Sequence, residues 1–177
     1  RKRFWQDELS GEVPCLQLPY DFPRPGVHVF SGKSIKFEIQ KKQIRLLNML
    51  AVETGATLYM VLLAMFNILL SRLSGQEDIS IGSAASGRNH AGLENIVGMF
   101  VNTIVLRNYP DGKQSFRRFL EDVRERLLDA LENQDYPFET LVQDILPERD
   151  PTRHPLFDVM FHMRPVSYDR FDLPGLT

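Results

Sequence analysis

The stretch MFVNTIVLR, residues 99–107, constrains the fold of this chain more than any other. Successive side chains of a strand point to opposite faces of a sheet, and here both alternating sets are mostly apolar. Such a strand is buried on both faces, so the stretch predicts a central strand covered by other elements. A second strand is predicted in EDISIGSAAS, residues 77–86.

Helical patterns flank these two strands. The predicted helices are a remnant over residues 4–9, a helix over 41–54, an apolar helix from Thr57 to about Leu73, an amphipathic helix from Ser115 and a short helix ending near Leu146. Two further strands are predicted, one where Ile35, Phe37 and Ile39 alternate with polar residues and one over residues 156–163. The order β-α-α-β-β-α-α-β predicts an α/β fold with one layer of sheet and one of helices.

Composition excludes several functional classes. The 177 residues carry a formal net charge of −2, which predicts no attraction to nucleic acid or to anionic lipid. The longest apolar run, Leu58 to Phe66, is shorter than the roughly 20 residues of a membrane span, so it predicts a core helix. A single cysteine, Cys15, excludes an internal disulfide framework and suits a reducing cytoplasm.

Residues 82–89, GSAASGRN, share the glycine spacing of a phosphate-binding P-loop. A P-loop has Lys and then Ser or Thr where this chain has Arg88 and Asn89, and its loop opens a helix that Gly92 would interrupt here. The sequence therefore argues against a nucleotide site. Six small residues in a row instead allow close approach of another backbone or of an extended ligand. Two interpretations stay open: a tight crossing inside the protein with Arg88 in an ion pair, or the wall of a ligand channel.

Asn102 is a polar residue inside the predicted central strand. A buried amide without a partner costs roughly 1–3 kcal/mol, so either a neighbouring loop or a substrate amide should satisfy it. Arg149 and Arg153 bracket Pro151, where they form either a surface anion contact or staples to the preceding helix. The four histidines lack the spacing of a zinc site, and no complete catalytic set is evident, so neither a metal site nor a catalytic residue is predicted.

Four ordered stretches resemble the condensation domains of nonribosomal peptide synthetases. Residues 79–88, ISIGSAASGR, are similar to the family motif Ile-Gly-Thr-Pro-Val-Ala-Gly-Arg, and residues 96–107, IVGMFVNTIVLR, match Ile-Gly-Met-Phe-Val-Asn-Thr almost letter for letter. Residues 133–142, NQDYPFETLV, and 149–161, RDPTRHPLFDVMF, resemble the two later motifs. The resemblance covers residues 4–162.

The resemblance implies a fold like that of chloramphenicol acetyltransferase. Two such lobes, each a two-layer sandwich with a mixed sheet covered by helices, would face each other across a tunnel. Donor and acceptor substrates would arrive on phosphopantetheine arms of carrier proteins, and the acceptor amine would attack the donor thioester to form a peptide bond. The implied partners are the first lobe and the peptidyl carrier and adenylation domains of the same synthetase. No cofactor is expected to bind this chain directly.

The catalytic histidine of the family lies in a His-His-x-x-x-Asp-Gly motif of the first lobe, and this chain has no adjacent histidines. The resemblance therefore implies the second, C-terminal lobe. Residues 1–32 would be a connector from the first lobe, 33–163 the lobe core, and 164–177 a linker-like end without the closing strands. Because no imidazole is positioned, the chain is expected to be inactive alone. A lobe without its partner is also expected to expose an apolar face and to self-associate.

Site residues follow from the resemblance position by position. It places Gly82, Ser83, Ser86, Gly87 and Arg88 in the wall and loop at the acceptor side of the tunnel, Asn102 and Thr103 on a core strand near the tunnel, and Arg149 and Arg153 in a structural loop. Arg88 is the candidate for a salt bridge to the acid of the first-lobe motif. Ser83 and Ala84 replace the usual Thr-Pro, and His154 replaces an Asn.

Two alternative functions stay open. One is a relative within the same superfamily: an epimerisation or heterocyclisation domain, or a coenzyme A-dependent acyltransferase. The Gly-Met-Phe-Val-Asn-Thr match favours condensation over these. The other is a non-catalytic lobe that docks carrier proteins, which the sequence preceding Arg1 would distinguish from an enzyme.

Overall fold

The computed structural model describes residues 1–22, 32–88, 91–146 and 153–164. The helices are α1 (Lys2–Glu8), α2 (Lys41–Glu53), α3 (Leu58–Ser74), α4 (Phe116–Glu132) and α5 (Phe138–Ile145), and the strands are β1 (Ile79–Ala85), β2 (Asn102–Asn108) and β3 (Val159–Met160). A short 3-10 turn, Ala91–Leu93, lies between β1 and β2.

The three strands form one mixed sheet in the order β2-β1-β3. β1 runs antiparallel to β2, with Gly82 opposite Val105, and parallel to β3, with Ile81 beside Val159. Residues 104–108 of β2 are all buried, as expected of a strand whose two alternating sets are apolar. The prediction of an α/β fold with a mixed sheet covered by helices is confirmed.

Local signals set the ends of the two long helices. The Thr57 hydroxyl accepts a hydrogen bond from the Met60 N–H at the start of α3, and Gly75 ends this helix with φ +72°. The Ser115 hydroxyl accepts from the Arg118 N–H at the start of α4. The predicted starts of both helices and the predicted end of α3 therefore agree with the structure to within a residue.

The core lies between the sheet and helices α3 and α4. α3 buries one of its faces, and α4 buries the apolar face expected of an amphipathic helix. α3 contacts β1, and α4 contacts β2. The buried residues of the two helices are Met60, Val61, Leu63, Ala64, Asn67 and Leu70 from α3 and Phe119, Leu120, Val123, Leu127 and Ala130 from α4. Across the described ranges no single helix is long and apolar enough to cross a membrane; α2 and α3 meet that test only as a pair bent by 104°.

The N-terminal segment, residues 1–18, packs onto this core. Trp5, Leu9 and Leu16 are buried, and the indole N–H of Trp5 donates to the carbonyl oxygen of Asn133 at 3.1 Å. The guanidinium of Arg107, at the end of β2, donates to the carbonyl oxygens of Ser10 and Glu12 and to the carboxylate of Asp78. These contacts attach the segment to the sheet.

Three predicted strands differ from the observed ones. The central strand is predicted from Met99, but β2 begins at Asn102, and Met99 and Val101 are exposed and not buried. Residues 32–40 belong to no strand and are exposed, so the strand predicted at Ile35–Ile39 is wrong for the folded chain: an alternating pattern makes a strand only where a neighbour pairs with it. The last strand is reduced to Val159–Met160 because Leu156, at φ +67°, turns the backbone out of the extended conformation.

Candidate functional site

The two glycines of the Gly82–Gly87 stretch are both places of close approach within the chain. A Cβ atom at Gly82 would overlap the ring of Phe157, and one at Gly87 would overlap the backbone carbonyl of Phe100. Gly87 also has φ +65°, a conformation that favours glycine. The small residues therefore accommodate the protein's own Phe157 and Phe100, as in the tight-crossing interpretation.

Arg88 organises the loop between β1 and β2. It donates from Nη1 to the carbonyl oxygen of Leu93 and from Nη2 to those of Ile96 (3.0 Å) and Gly98 (3.4 Å). Its guanidinium carbon also lies 4.4 Å from the centre of the Phe100 ring, a cation–π distance. Among the residues that the structure describes, these are backbone and ring contacts and not the ion pair that the sequence suggested.

The two serines of the stretch lie in different environments. Ser83 is buried on the side of α3, where its hydroxyl lies 2.7 Å from that of Tyr59. Burial raises the pKa of Tyr59, and the bond to Ser83 opposes that rise in part. Ser86 is exposed and accepts a hydrogen bond from the backbone N–H of Arg88. Only Ser86 is therefore open to solvent.

Asn102 joins the start of β2 to the turn between α4 and α5. Its amide nitrogen donates to the carbonyl oxygens of Gln134 (2.6 Å) and Tyr136 (2.7 Å), and its oxygen accepts from the N–H groups of Thr103 (2.9 Å) and Phe138 (3.2 Å). Both donors and both lone pairs are thus used. Of the two partners considered for this amide, the neighbouring loop is the one found, and Thr103 lies beside it on β2.

Arg153 contacts the N-terminal segment. It donates to both carboxylate oxygens of Asp158, at 3.0 and 2.9 Å, and to the carbonyl oxygen of Leu16, whose N–H donates back to Asp158 at 2.9 Å. Arg153 therefore attaches its loop to the N-terminal segment at Leu16, and not to the preceding helix. Arg149 lies outside the described residues.

Four of the predicted site residues line three surface cavities. Gly87 and Asn102 line one of about 350 Å³ together with Met99, Phe100 and Val101. Ser83 lines a second, of about 290 Å³, between α3 and α4. Arg153 lines a third, of about 430 Å³, against residues 13–15. Within the part of the chain that the structure describes, these four candidates line three separate cavities and not a common one.

The third cavity contains an aromatic cluster that the sequence did not indicate. The His154 imidazole stacks on Phe157, with ring centres 4.2 Å apart, and lies 5.7 Å from Phe138. One sequence signal could have indicated this cavity: Asp158 is a charged residue in an apolar stretch and follows Arg153, its ion-pair partner, by five residues. Within the described ranges no group of three or more His, Cys, Asp or Glu could hold a metal ion.

Comparison with known proteins assigns the chain to a family. Residues 1–173 match the Condensation domain family. The chain belongs to the condensation-domain family. It is 45% identical to gramicidin S synthase 2 of Brevibacillus brevis over all 177 residues, and 46% identical to tyrocidine synthase 3 of Brevibacillus parabrevis over 175 residues. These matches cover 100% and 99% of the chain but only 4% and 3% of the two relatives.

Solved condensation-domain structures have the same fold. The four-domain nonribosomal peptide synthetase AB3403, bound to AMP and glycine, matches 92% of the chain and 12% of its own length with a TM-score of 0.89 and 31% identity. The first condensation domain of the CDA synthetase matches 93% of the chain and 34% of its own length, with a TM-score of 0.68 and 19% identity, which shows the fold alone. This condensation-domain chain therefore spans about a third of that domain's structure.

Proposed function

We propose that this chain is the C-terminal lobe of a condensation domain that forms a peptide bond between two carrier-bound substrates. The donor would be an acyl or peptidyl thioester and the acceptor an amine, each on the phosphopantetheine arm of a carrier domain. Family membership over residues 1–173 and the similarity to peptide synthetases support this reaction. The general base or positioning histidine would come from the first lobe, because this chain has no His-His pair.

The exposed apolar loop over residues 96–101 carries the proposal. Val97 is 100% exposed and Met99 94%, and Ile96 and Val101 are exposed too. Their backbone is nevertheless fixed, because Arg88 binds the loop carbonyls. An apolar patch held rigidly in solvent is typical of a surface that another part of the protein covers. This loop contains the motif closest to the family's, so we assign its partner as the first lobe.

The cavity lined by Gly87 and Asn102 opens beside this loop and is the part of the site that a substrate arm would use. Since Asn102 has no hydrogen-bonding capacity left, it would hold the wall of the cavity rather than bind the substrate. Arg88 donates three hydrogen bonds to carbonyl oxygens. Because a guanidinium has five N–H donors, further donors remain for an acid of the first lobe.

The test uses the whole synthetase polypeptide that contains this chain, with both carrier domains loaded with their aminoacyl groups. After proteolysis into separate carrier domains, mass spectrometry should show the acceptor carrier gaining the mass of the donor acyl group and the donor carrier losing it. The 177-residue chain alone, added to separate loaded carriers, should give no transfer. Arg88→Ala in the polypeptide should slow the transfer without changing the loading of either carrier. Loaded carriers that bind but never exchange an acyl group would instead show a docking lobe, and the enzymatic proposal would fail.

A further inference from the structure

The turn between α4 and α5, residues 133–137, forms part of the wall of the cavity that Gly87 and Asn102 line. The amide nitrogen of Asn102 donates to the carbonyl oxygens of Gln134 and Tyr136 in this turn. Asn102 therefore fixes the turn to the start of β2, and the position of the turn sets the shape of the cavity. The turn residues that line the cavity are Gln134, Asp135 and Pro137.

Trp5 of α1 binds the same turn from the core. Its indole N–H donates to the carbonyl oxygen of Asn133 at 3.1 Å, and the backbone N–H of Tyr136 donates to the same oxygen at 3.2 Å. Trp5 is 1% exposed, so the indole cannot change its position without moving its packed neighbours. A displacement of α1 therefore displaces the turn as well.

The exposed start of α1 contacts the same region through two ion pairs. Arg1 pairs with Asp135, and the Lys2 ammonium donates to a carboxylate oxygen of Asp144 in α5 at 2.8 Å. The other oxygen of Asp144 accepts the Tyr136 hydroxyl at 2.5 Å. Exposed ion pairs contribute only modestly to the free energy of unfolding, so these pairs fix where α1 lies more than whether the chain folds.

From these contacts we infer that Trp5 is a positioning residue for the proposed reaction, which couples the place of α1 to the wall of the substrate cavity. The inference rests on the proposed function, in which the first lobe precedes α1 in the polypeptide and supplies the histidine. A movement of the first lobe then reaches the cavity through α1, the turn and Asn102, a contiguous set of packed and hydrogen-bonded groups. Trp5 is not among the described residues that line the cavity, so it acts through the turn and not on the substrate.

The test uses the whole synthetase polypeptide with its donor carrier loaded. Its acceptor carrier is left unloaded, and the acceptor is a soluble pantetheine thioester of the amino acid that this carrier normally receives. In Trp5→Phe an aromatic ring stays in the core, but the N–H donor to Asn133 is lost. Because the cavity wall is then held less firmly, the KM for the soluble acceptor should rise about five- to tenfold, the effect of one hydrogen bond. The kcat should change by less than about twofold, whereas a general loss of folded protein would lower kcat at an unchanged KM.

Lys2→Ala and Arg3→Ala form a matched pair of substitutions on the exposed side of α1, where neither threatens the fold. Lys2 pairs with Asp144 of α5, whereas Arg3 pairs with Asp7 inside α1. Lys2→Ala should also raise the KM, by about twofold, and Arg3→Ala should leave it unchanged.

Hydrogen exchange, measured by mass spectrometry on peptides that cover residues 133–138, tests the contact without the reaction. Exchange there should rise in Trp5→Phe, because the Tyr136 N–H shares the Asn133 oxygen with the indole. It should stay at the wild-type level in Arg3→Ala.

The kinetic outcomes separate this inference from the proposed function. An unchanged KM in both Trp5→Phe and Lys2→Ala, while the wild type transfers the acyl group, would overturn the inference and leave the proposed function standing. So would a lower kcat at an unchanged KM, even with raised exchange, since the contact would then be structural only. A wild type that transfers nothing would refute the proposed function, and the positioning role with it.

Discussion

The ring of Phe157 lies against the backbone of Gly82, in the space that a side chain at position 82 would occupy. Gly82 belongs to β1, whereas Phe157 precedes β3 in the loop that Arg153 and Asp158 tie to Leu16. This contact, together with the N–H of Phe161 donating to the Gly82 carbonyl at 2.9 Å, places the last described segment on the sheet. The glycine of a motif that suggested a ligand channel is thus a packing position.

Replacing Gly82 with alanine should therefore destabilise the chain by about 1–3 kcal/mol, since the methyl group would force Phe157 out of place. Urea unfolding measures the free energy change. Gly92→Ala is the control: a Cβ there meets nothing within 4 Å, so little change is expected. Phe157→Leu should lower the free energy of unfolding by less in the Gly82→Ala variant than in the wild type. Equal losses in the two backgrounds would argue against the contact.

Asn102→Asp should destabilise the chain by roughly 1–3 kcal/mol, because it replaces two N–H donors with an oxygen facing the carbonyls of Gln134 and Tyr136. Hydrogen exchange should rise first in the turn over residues 134–136, whose carbonyl oxygens lose their donors. The control is Asn48→Asp, the same change at an exposed position of α2. Equal stability of the two variants would mean that the amide does not hold the turn.

Arg107→Lys should loosen the N-terminal segment, since an ammonium cannot reach Asp78, Ser10 and Glu12 together as the guanidinium does. The expected loss is about 2 kcal/mol for hydrogen bonds to a charged group. Trp5 is the single tryptophan and is buried in α1, so its fluorescence reports on this segment.

In the Arg107→Lys variant the Trp5 transition should precede the loss of helix signal during urea unfolding. Arg117→Lys, at an exposed arginine paired with Glu53, is the matched control and should leave the two transitions as in the wild type. If the two transitions of the Arg107→Lys variant coincide at the wild-type midpoint, Arg107 does not hold the N-terminal segment.

Acid should weaken the attachment of α1 to α5 through Asp144. Hydrogen bonds from the Lys2 ammonium and then from the Tyr136 hydroxyl lower the pKa of Asp144 below its ordinary value of 3.8. A carboxyl with a lowered folded-state pKa contributes stability above that ordinary value, and the contribution is lost as the pH falls through the folded-state pKa.

Asp144→Asn should accordingly reduce stability at neutral pH and flatten its decline below about pH 4. Thermal unfolding at a series of pH values measures both effects. Asp129→Asn, at an exposed position of α4, provides the comparison. A variant whose pH profile runs parallel to that of the wild type would show that Asp144 does not couple to folding.

Sequence patterns were sufficient for the helices and, apart from the start of β2, for the two long strands. The capping hydroxyls of Thr57 and Ser115 and the glycine after α3 act on backbone groups within four positions, so their effect is visible in the chain itself. The family followed from four motifs read in order, and the match over residues 1–173 agrees.

Only the tertiary structure decided which residues meet. Asn102 finds three of its four partners 32 to 36 positions away. Arg153 contacts Leu16, 137 positions away, and Gly82 is covered by a ring 75 positions later in the chain. The strand pattern at residues 35–39 shows the converse: the sequence provides the alternation, but a strand needs a neighbour that the described fold does not supply. By itself the sequence determined what each segment can form with its near neighbours; contacts between distant segments depend on how the packed elements bring them together.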